Sequence, residues 1–136
     1  MNTDILNAAL ADLFAPWVQA LGLRAESFTE GSVTLRLPQS AQLSRTGGML
    51  CGQAMMAAAD TATVLALINH FGEFRPCTTV QMSTGFMRPL SNQDALICAS
   101  LVRVGKAMAF AEIDIRGADD GKTVCRASTT YALQTA

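Results

Sequence analysis

The most constraining feature of this chain is an apolar run of twenty residues, 49–68, that carries a single charged side chain. That side chain is the carboxylate of Asp60, near the middle of the run. An unpaired carboxylate is expensive to bury, so Asp60 needs a hydrogen-bonding partner or a chemical role. A run of this length could also span a membrane. A central carboxylate opposes insertion by roughly 2.5–3.5 kcal/mol, and the run is therefore predicted to be a core helix.

The long helix is predicted to span about residues 50–71, because Gly72 is a natural end for it. It is apolar on nearly every side, which is typical of a helix surrounded by other structure. Before it, the pattern predicts an amphipathic helix over residues 3–21, interrupted at Pro16, and then a hairpin. After it, alternating apolar residues predict four strands in a meander: residues 78–88, 95–104, 107–116 and 122–133.

These elements predict an α+β fold in which one curved antiparallel sheet wraps around the long central helix. A flat sheet would leave half of such a helix in contact with water, so a curved sheet is favoured. The chain of 136 residues is long enough to bury a core as one domain, residues 1–136. That domain would comprise an N-terminal helix in residues 1–21 and a core in residues 22–136.

The composition argues against several classes of partner. A net charge of −1 gives no general attraction to nucleic acid or to an anionic membrane. Only 15% of the residues are charged, against roughly 25% in ordinary soluble domains, which suggests that another subunit covers part of the surface. The four cysteines lack CxxC or His-rich spacing, and the first residues carry no early basic charge. We therefore expect a cytoplasmic protein with reduced thiols and no metal or redox cofactor.

The run GGMLCGQAMMAAADTA, residues 47–62, resembles the signature of hotdog-fold acyl-CoA thioesterases of the phenylacetate-pathway, 4-hydroxybenzoyl-CoA thioesterase-like type. That family has a Gly-x-Leu-His-Gly-Gly stretch and, nine residues after the His, an acidic residue. Residues 48–53 occupy the first part here, and Asp60 occupies the second. The later run TTVQMSTGFMRPL, residues 78–90, resembles the family's strand that ends in aromatic-x-Arg-Pro. The match covers about residues 21–133.

The resemblance implies a hydrolase that converts an acyl-CoA thioester to a free acid and coenzyme A. Asp60 would act as general base or nucleophile, and the Gly52 N–H would bind the oxyanion. Gly52 suits that role because N–H groups in the first turn of a helix are free and no Cβ blocks the approach. Ser83 is the candidate that orients Asp60 or the attacking water.

Gly52 and Asp60 are eight residues apart, about 12 Å along one helix, so they cannot both contact one carbonyl from the same chain. In the family the two groups meet across a dimer interface. The resemblance therefore implies a homodimer, or a homotetramer built from such dimers.

This sequence departs from the family motif near the helix start. Cys51 stands in place of the His, Gln53 in place of the second Gly, and Arg45 where Asn or Gln is usual. Basic side chains near strand ends would suit the phosphates of coenzyme A. The predicted substrate-binding residues are Arg45, Cys51, Gln53, Phe86, Arg88, Arg103 and Lys106.

The replacement of the His by Cys51 leaves an alternative function open: a non-catalytic protein of the same fold that binds acyl-CoA or another small ligand. A third possibility is that Asp60 has a purely structural role. Cys51 could also be a nucleophile, since helix N-termini lower thiol pKa values. The one His, His70, lies about 28 Å along the helix from it, which excludes an intrachain Cys–His dyad.

Overall fold

The structure, a computed structural model, describes residues 1–134. The last two residues of the predicted domain, Thr135 and Ala136, lie outside the described residues. A short 3-10 turn spans Ala41–Leu43. The helices and strands are α1 Thr3–Asp12, α2 Pro16–Gln19, β1 Arg24–Phe28, β2 Ser32–Leu37, β3 Ser44–Arg45, β4 Met49–Leu50, α3 Gly52–Phe71, β5 Cys77–Phe86, β6 Ala95–Val104, β7 Met108–Gly117 and β8 Thr123–Leu133.

Six strands form one antiparallel sheet in the order β1-β2-β6-β7-β8-β5, and this sheet curves around α3. The helix packs against β2, β5, β6, β7 and β8. The predicted α+β fold, a sheet wrapped around a central helix, is confirmed. The four strands after α3 begin and end within two residues of the predicted segments.

The prediction of a four-strand meander is wrong for its first strand. β5 pairs with β8, with Thr79 opposite Tyr131, whereas β6 pairs with β2 and β7. The chain therefore crosses from one edge of the sheet to its middle between β5 and β6. Alternating residues identify a strand, but its neighbours are set by contacts with distant segments. As a result, β5 lies at an edge of the sheet, and most of its residues are exposed.

The central helix α3 is the core of the fold. It contributes buried alanines, such as Ala58, Ala59 and Ala62, whose small side chains let the sheet approach closely. The helix begins at Gly52 and ends at Gly72, which has φ 78° and donates its N–H to the Ile68 carbonyl at 2.8 Å. By length and composition alone α3 could cross a membrane, but most of it is buried within the protein. The prediction of a core helix is confirmed.

The N-terminal segment is two helices rather than one. Pro16 occupies the first position of α2, where its missing N–H is tolerated. Leu6 and Leu10 are buried against the rest of the protein. The prediction of one amphipathic helix over residues 3–21 is wrong in part, because three of its large apolar residues are exposed: Ile5 at 48%, Leu13 at 43% and Trp17 at 65%.

Candidate active site

The carboxylate of Asp60 is half-buried on the side of α3 that faces β5 and β8. Thr79 Oγ1 donates a hydrogen bond to Asp60 Oδ1 at 2.9 Å. Tyr131 Oη lies 2.5 Å from the same oxygen and 3.0 Å from the backbone carbonyl oxygen of Asp60. The apolar run therefore does not bury an unpaired charge, because two hydroxyl groups solvate it from the sheet.

The Tyr131 hydroxyl group keeps its proton and can therefore donate a hydrogen bond to Asp60. Its side chain is buried, and burial raises the pKa of Tyr131, with the hydrogen bond to Asp60 raising it further. The phenol is therefore neutral at any pH at which the protein operates. Thr79 and Tyr131 reach one carboxylate because they are direct partners across the β5–β8 ladder.

Asp60 opens into a cleft of about 240 Å³. One side is polar, with Thr79 and Tyr131, and the other is made largely of apolar side chains. Cys77 also lines it, and burial, followed by the charge of Asp60, raises the pKa of the Cys77 thiol. The remaining lining residues are Phe14, Trp17, Val18, Ala57, Thr61 and Val64. An apolar group placed there would lie directly beside the carboxylate.

Gly52 is the first residue of α3 and lines a separate cleft of about 530 Å³. Within the described residues, the N–H of Gly52 donates no hydrogen bond, as expected at the first position of a helix. A Cβ on Gly52 would lie 3.3 Å from the Phe86 ring, so the residue type is constrained by close packing. Three predicted substrate-binding residues line this cleft with Gly52: Arg45, Phe86 and Arg88.

The other residues predicted near the helix start are placed less directly. Cys51 is the half-buried N-cap residue of α3, and its side chain makes no capping hydrogen bond. Gln53 is exposed in the first turn. Neither side chain approaches Asp60, which lies two turns further along the helix.

Ser83 does not orient Asp60 within the chain. It is exposed on β5, opposite Ser128, and Thr79 supplies the hydroxyl group instead. Sequence reasoning missed Thr79 and Tyr131, although Tyr131 is the chain's one tyrosine and lies in an alternating strand. That alternation indicates that Tyr131 is buried. It does not indicate that Asp60 is its partner, because the register of β8 against β5 depends on residues far apart in the sequence.

The predicted cluster of Arg88, Arg103 and Lys106 does not form within one chain. Arg88 lies beside Gly52 at the start of α3. Lys106 lines a cleft of about 890 Å³ at the other end of the helix, with Phe71 and Arg75. Arg103 lies beside Gly105 in the same hairpin. The reason is the sheet order, because the β6–β7 turn lies near the end of α3 whereas β5 finishes near its start.

The two predicted catalytic groups thus occupy separate clefts along one helix, Gly52 in one and Asp60 in the other.

Residues 47–124 match the sequence profile of the thioesterase superfamily. The chain belongs to this superfamily. A provisionally named esterase of Thermoplasma acidophilum is 30% identical over 106 residues, covering 77% of this chain and 78% of the relative. A second provisionally named esterase, from Thermoplasma volcanium, is 27% identical over 129 residues, covering 95% and 92%.

Solved structures confirm the hotdog fold. A provisionally named thioesterase of Silicibacter sp. TM1040 is 27% identical with a TM-score of 0.88, over 99% of this chain and 93% of that one. The thioesterase of Haemophilus influenzae is 21% identical with a TM-score of 0.88, over 99% and 92%. A hypothetical thioesterase of Streptococcus pneumoniae, solved with coenzyme A, is 18% identical with a TM-score of 0.75, over 82% and 85%.

Proposed function

We propose that this protein hydrolyses acyl-CoA thioesters to free acid and coenzyme A, as thioesterases of the phenylacetate-pathway type do. The observation that carries the proposal is the Asp60 carboxylate, held by two hydroxyl donors beside an apolar cleft in a member of the thioesterase superfamily. The acyl group would occupy that cleft against Phe14, Trp17 and Val64. The relative solved with coenzyme A supports the choice of substrate.

The chemistry requires a base and an oxyanion donor. Acting as a base, Asp60 takes a proton from water while the water oxygen bonds to the thioester carbonyl carbon. The carbonyl oxygen becomes negative and is bound by the Gly52 N–H of a second copy. The C–S bond then breaks, and the proton passes to the departing thiolate. Acting instead as a nucleophile, Asp60 would attack the carbonyl carbon, break the C–S bond and expel the thiolate of coenzyme A, leaving a mixed anhydride. Water would then hydrolyse the anhydride to the free acid and the Asp60 carboxylate, and its remaining proton would pass to the thiolate. Neither route needs a metal or redox cofactor.

The edge strand β5 supports a dimeric site. Asp60 is hydrogen-bonded to Thr79, and Gly52 packs close to Phe86, seven residues further along the same strand. If two copies of β5 pair antiparallel about a twofold axis near Met82 and Ser83, each Phe86 lies opposite the partner's Thr79. Gly52 of one copy then approaches Asp60 of the other. The exposed edge of β5 offers the unpaired backbone groups that such pairing needs.

The same pairing would also reunite the basic residues that a single chain separates. Arg45 and Arg88 of one copy would approach the end of α3 in the other, where Lys106 lies. These side chains would bind the phosphates of coenzyme A, Arg by bidentate hydrogen bonds. Arg103, Cys51 and Gln53 remain predicted contributors to this part of the site.

We further propose that such dimers can associate as tetramers and that the enzyme is cytoplasmic.

A mixing experiment tests the shared site. Asp60→Asn and Gly52→Pro should each lose at least about 100-fold of acyl-CoA thioesterase activity as homodimers. Pro removes the N–H yet suits the first position of a helix, and Cys51 already has the extended conformation, with ψ 148°, that precedes proline. Co-refolding equal amounts should restore about a quarter of wild-type activity, because half of the dimers then hold one complete site of two.

Gly52→Ala is the matched control, because it adds a Cβ but keeps the N–H. It should retain more activity than Gly52→Pro. Wild-type turnover by Asp60→Asn would contradict the proposed role of the carboxylate. Inactive mixtures of folded, mixed dimers would contradict the sharing of the site.

A second candidate function is acyl-CoA binding without hydrolysis. The observation that favours it is Cys51 at the helix start, since a thiol is a much weaker hydrogen-bond donor than an imidazole. Thiol release from a panel of aliphatic and aromatic acyl-CoAs separates the two functions. Thermal stabilisation by acyl-CoA without turnover would favour the binding protein.

A further inference from the structure

We infer that Tyr131 and Thr79 are positioning residues that hold one oxygen of Asp60, Oδ1, and leave the other, Oδ2, as the oxygen that reacts. This inference rests on the proposed function, in which Asp60 is the base or nucleophile. It adds a tyrosine to the hydrolytic site and assigns different roles to the two carboxylate oxygens.

Both hydroxyl donors converge on the same atom. Thr79 Oγ1 lies 2.9 Å and Tyr131 Oη 2.5 Å from Oδ1. Across residues 1–134, no side chain or backbone group donates a hydrogen bond to Oδ2. A carboxylate oxygen carries two lone pairs, so Oδ1 is fully used while Oδ2 keeps its capacity to accept a proton or attack a carbonyl.

The position of Tyr131 explains how the carboxylate is oriented. Its hydroxyl group lies within hydrogen-bonding distance of both Oδ1 and the backbone carbonyl oxygen of Asp60. The phenol therefore contacts the side chain and the helix backbone at one residue. Tyr131 is 3% exposed, so packing fixes the ring. A rotation of the carboxylate away from this geometry would break both hydrogen bonds to Oδ1 and leave that half-buried oxygen without a donor, which is costly.

The groups around Asp60 add no further charge to its cleft. The titratable groups that face it are Cys77 from β5 and Tyr131 from β8. Burial raises the pKa of both, so both are neutral at physiological pH. The N-terminal segment contributes uncharged walls through Phe14, Trp17 and Val18. The hydroxyl groups of Thr79 and Tyr131 are therefore the polar contacts that orient the carboxylate.

Removing either donor should affect the chemical step more than binding. Tyr131→Phe and Thr79→Val should each lower kcat about 10- to 100-fold and change KM by no more than about twofold. The loss should fall on kcat because the two donors hold the carboxylate in its reactive orientation and the substrate does not need them for binding. Thr79→Ser restores the hydroxyl group and should restore kcat.

Thr129→Val is the matched structural control. Thr129 lies two residues from Tyr131 on β8, is buried, and shares a hydrogen bond of 2.8 Å with Thr63 on α3, away from Asp60. Loss of this hydrogen bond should lower stability but leave kcat unchanged. Wild-type kcat in folded Tyr131→Phe would overturn the inference.

A readout without substrate separates this inference from the proposed function. In protein labelled with 13C at aspartate carboxyls, the Asp60 signal is assigned by Asp60→Asn. At one fixed pH its chemical shift should change in Tyr131→Phe, where the carboxylate loses a hydrogen-bond donor, and stay in place in Thr129→Val. An unchanged chemical shift in Tyr131→Phe would refute the positioning role. A changed chemical shift in a protein that hydrolyses no acyl-CoA would refute the proposed function alone.

Discussion

At the scale of single residues, the hydrogen bonding and pKa of buried polar groups in this protein depend on the side chains next to them. Asp60 is tolerated in an apolar helix because Thr79 and Tyr131 donate to it from the sheet. Cys125 shows the opposite case. It is fully buried on β8, and burial, followed by the charge of Asp114, raises the pKa of its thiol to about 11. The thiol is therefore neutral in the folded protein and inert as a nucleophile.

This burial predicts a loss of stability at alkaline pH. The thiol of Cys125 ionises near pH 9 in the unfolded chain and near 11 in the folded one. Its contribution is fully present below pH 9 and is lost as the pH rises towards 11, by about 2–3 kcal/mol. Urea unfolding of wild type and Cys125→Ala at pH 8 and pH 11 measures this. The free energy of unfolding should fall less in the variant, and equal falls would contradict the assignment.

At the scale of elements, α3 combines the two proposed catalytic positions with the core of the fold. Its start presents the free N–H of Gly52, and its middle presents Asp60 to the sheet. Its end is set by Gly72, whose φ of 78° is accessible to glycine at little cost. The residues after Gly72 lead into β5, which carries Thr79 of the proposed site.

Gly72→Ala should therefore destabilise the protein by about 1 kcal/mol, through backbone strain alone. A Cβ at this position would meet no atom within 4 Å, so no clash contributes. Gly31→Ala is the control, because its Cβ would also lie in open space but its φ is not positive. Chemical denaturation should give a change near zero for Gly31→Ala. Equal losses in the two variants would show that conformation is not the cause.

At the scale of the whole molecule, the sheet has an open edge at β5 that carries residues from both clefts. Val80 is 56% exposed there, and it lies at an irregularity in the pairing with β8. Exposed apolar edge strands are ready to pair with another chain. Dimerisation through β5 would cover this edge and complete the proposed site in the same step.

Val80→Lys should therefore separate the dimer and abolish thioesterase activity, because charged side chains on an edge oppose pairing. Light scattering should give at least twice the 14.4 kDa chain mass for wild type and a single chain mass for the variant. Val102→Lys is the control: Val102 is 64% exposed at a similar irregularity on β6, away from this edge. It should remain dimeric, and a monomeric wild type would contradict the proposed assembly.

The local amino-acid pattern is enough to identify the helices and strands and to single out Asp60. The apolar run, Gly72 and the alternating segments identified α3 and the long strands, because hydrophobic periodicity is a local property. The expense of burying a carboxylate required that Asp60 have a partner or a role. Helix geometry likewise separated Gly52 from Asp60 without any tertiary information.

Which side chains contact one another depends on how the elements pack, and it could not be read from the local pattern. It paired β5 with β8, chose Thr79 and Tyr131 rather than Ser83 as partners of Asp60, and placed Arg88 and Lys106 at opposite ends of α3. Strand order and register depend on contacts between segments far apart in the chain, and a shift of one residue turns every side chain to the other face. The local pattern specifies the strands, whereas packing around α3 specifies their neighbours.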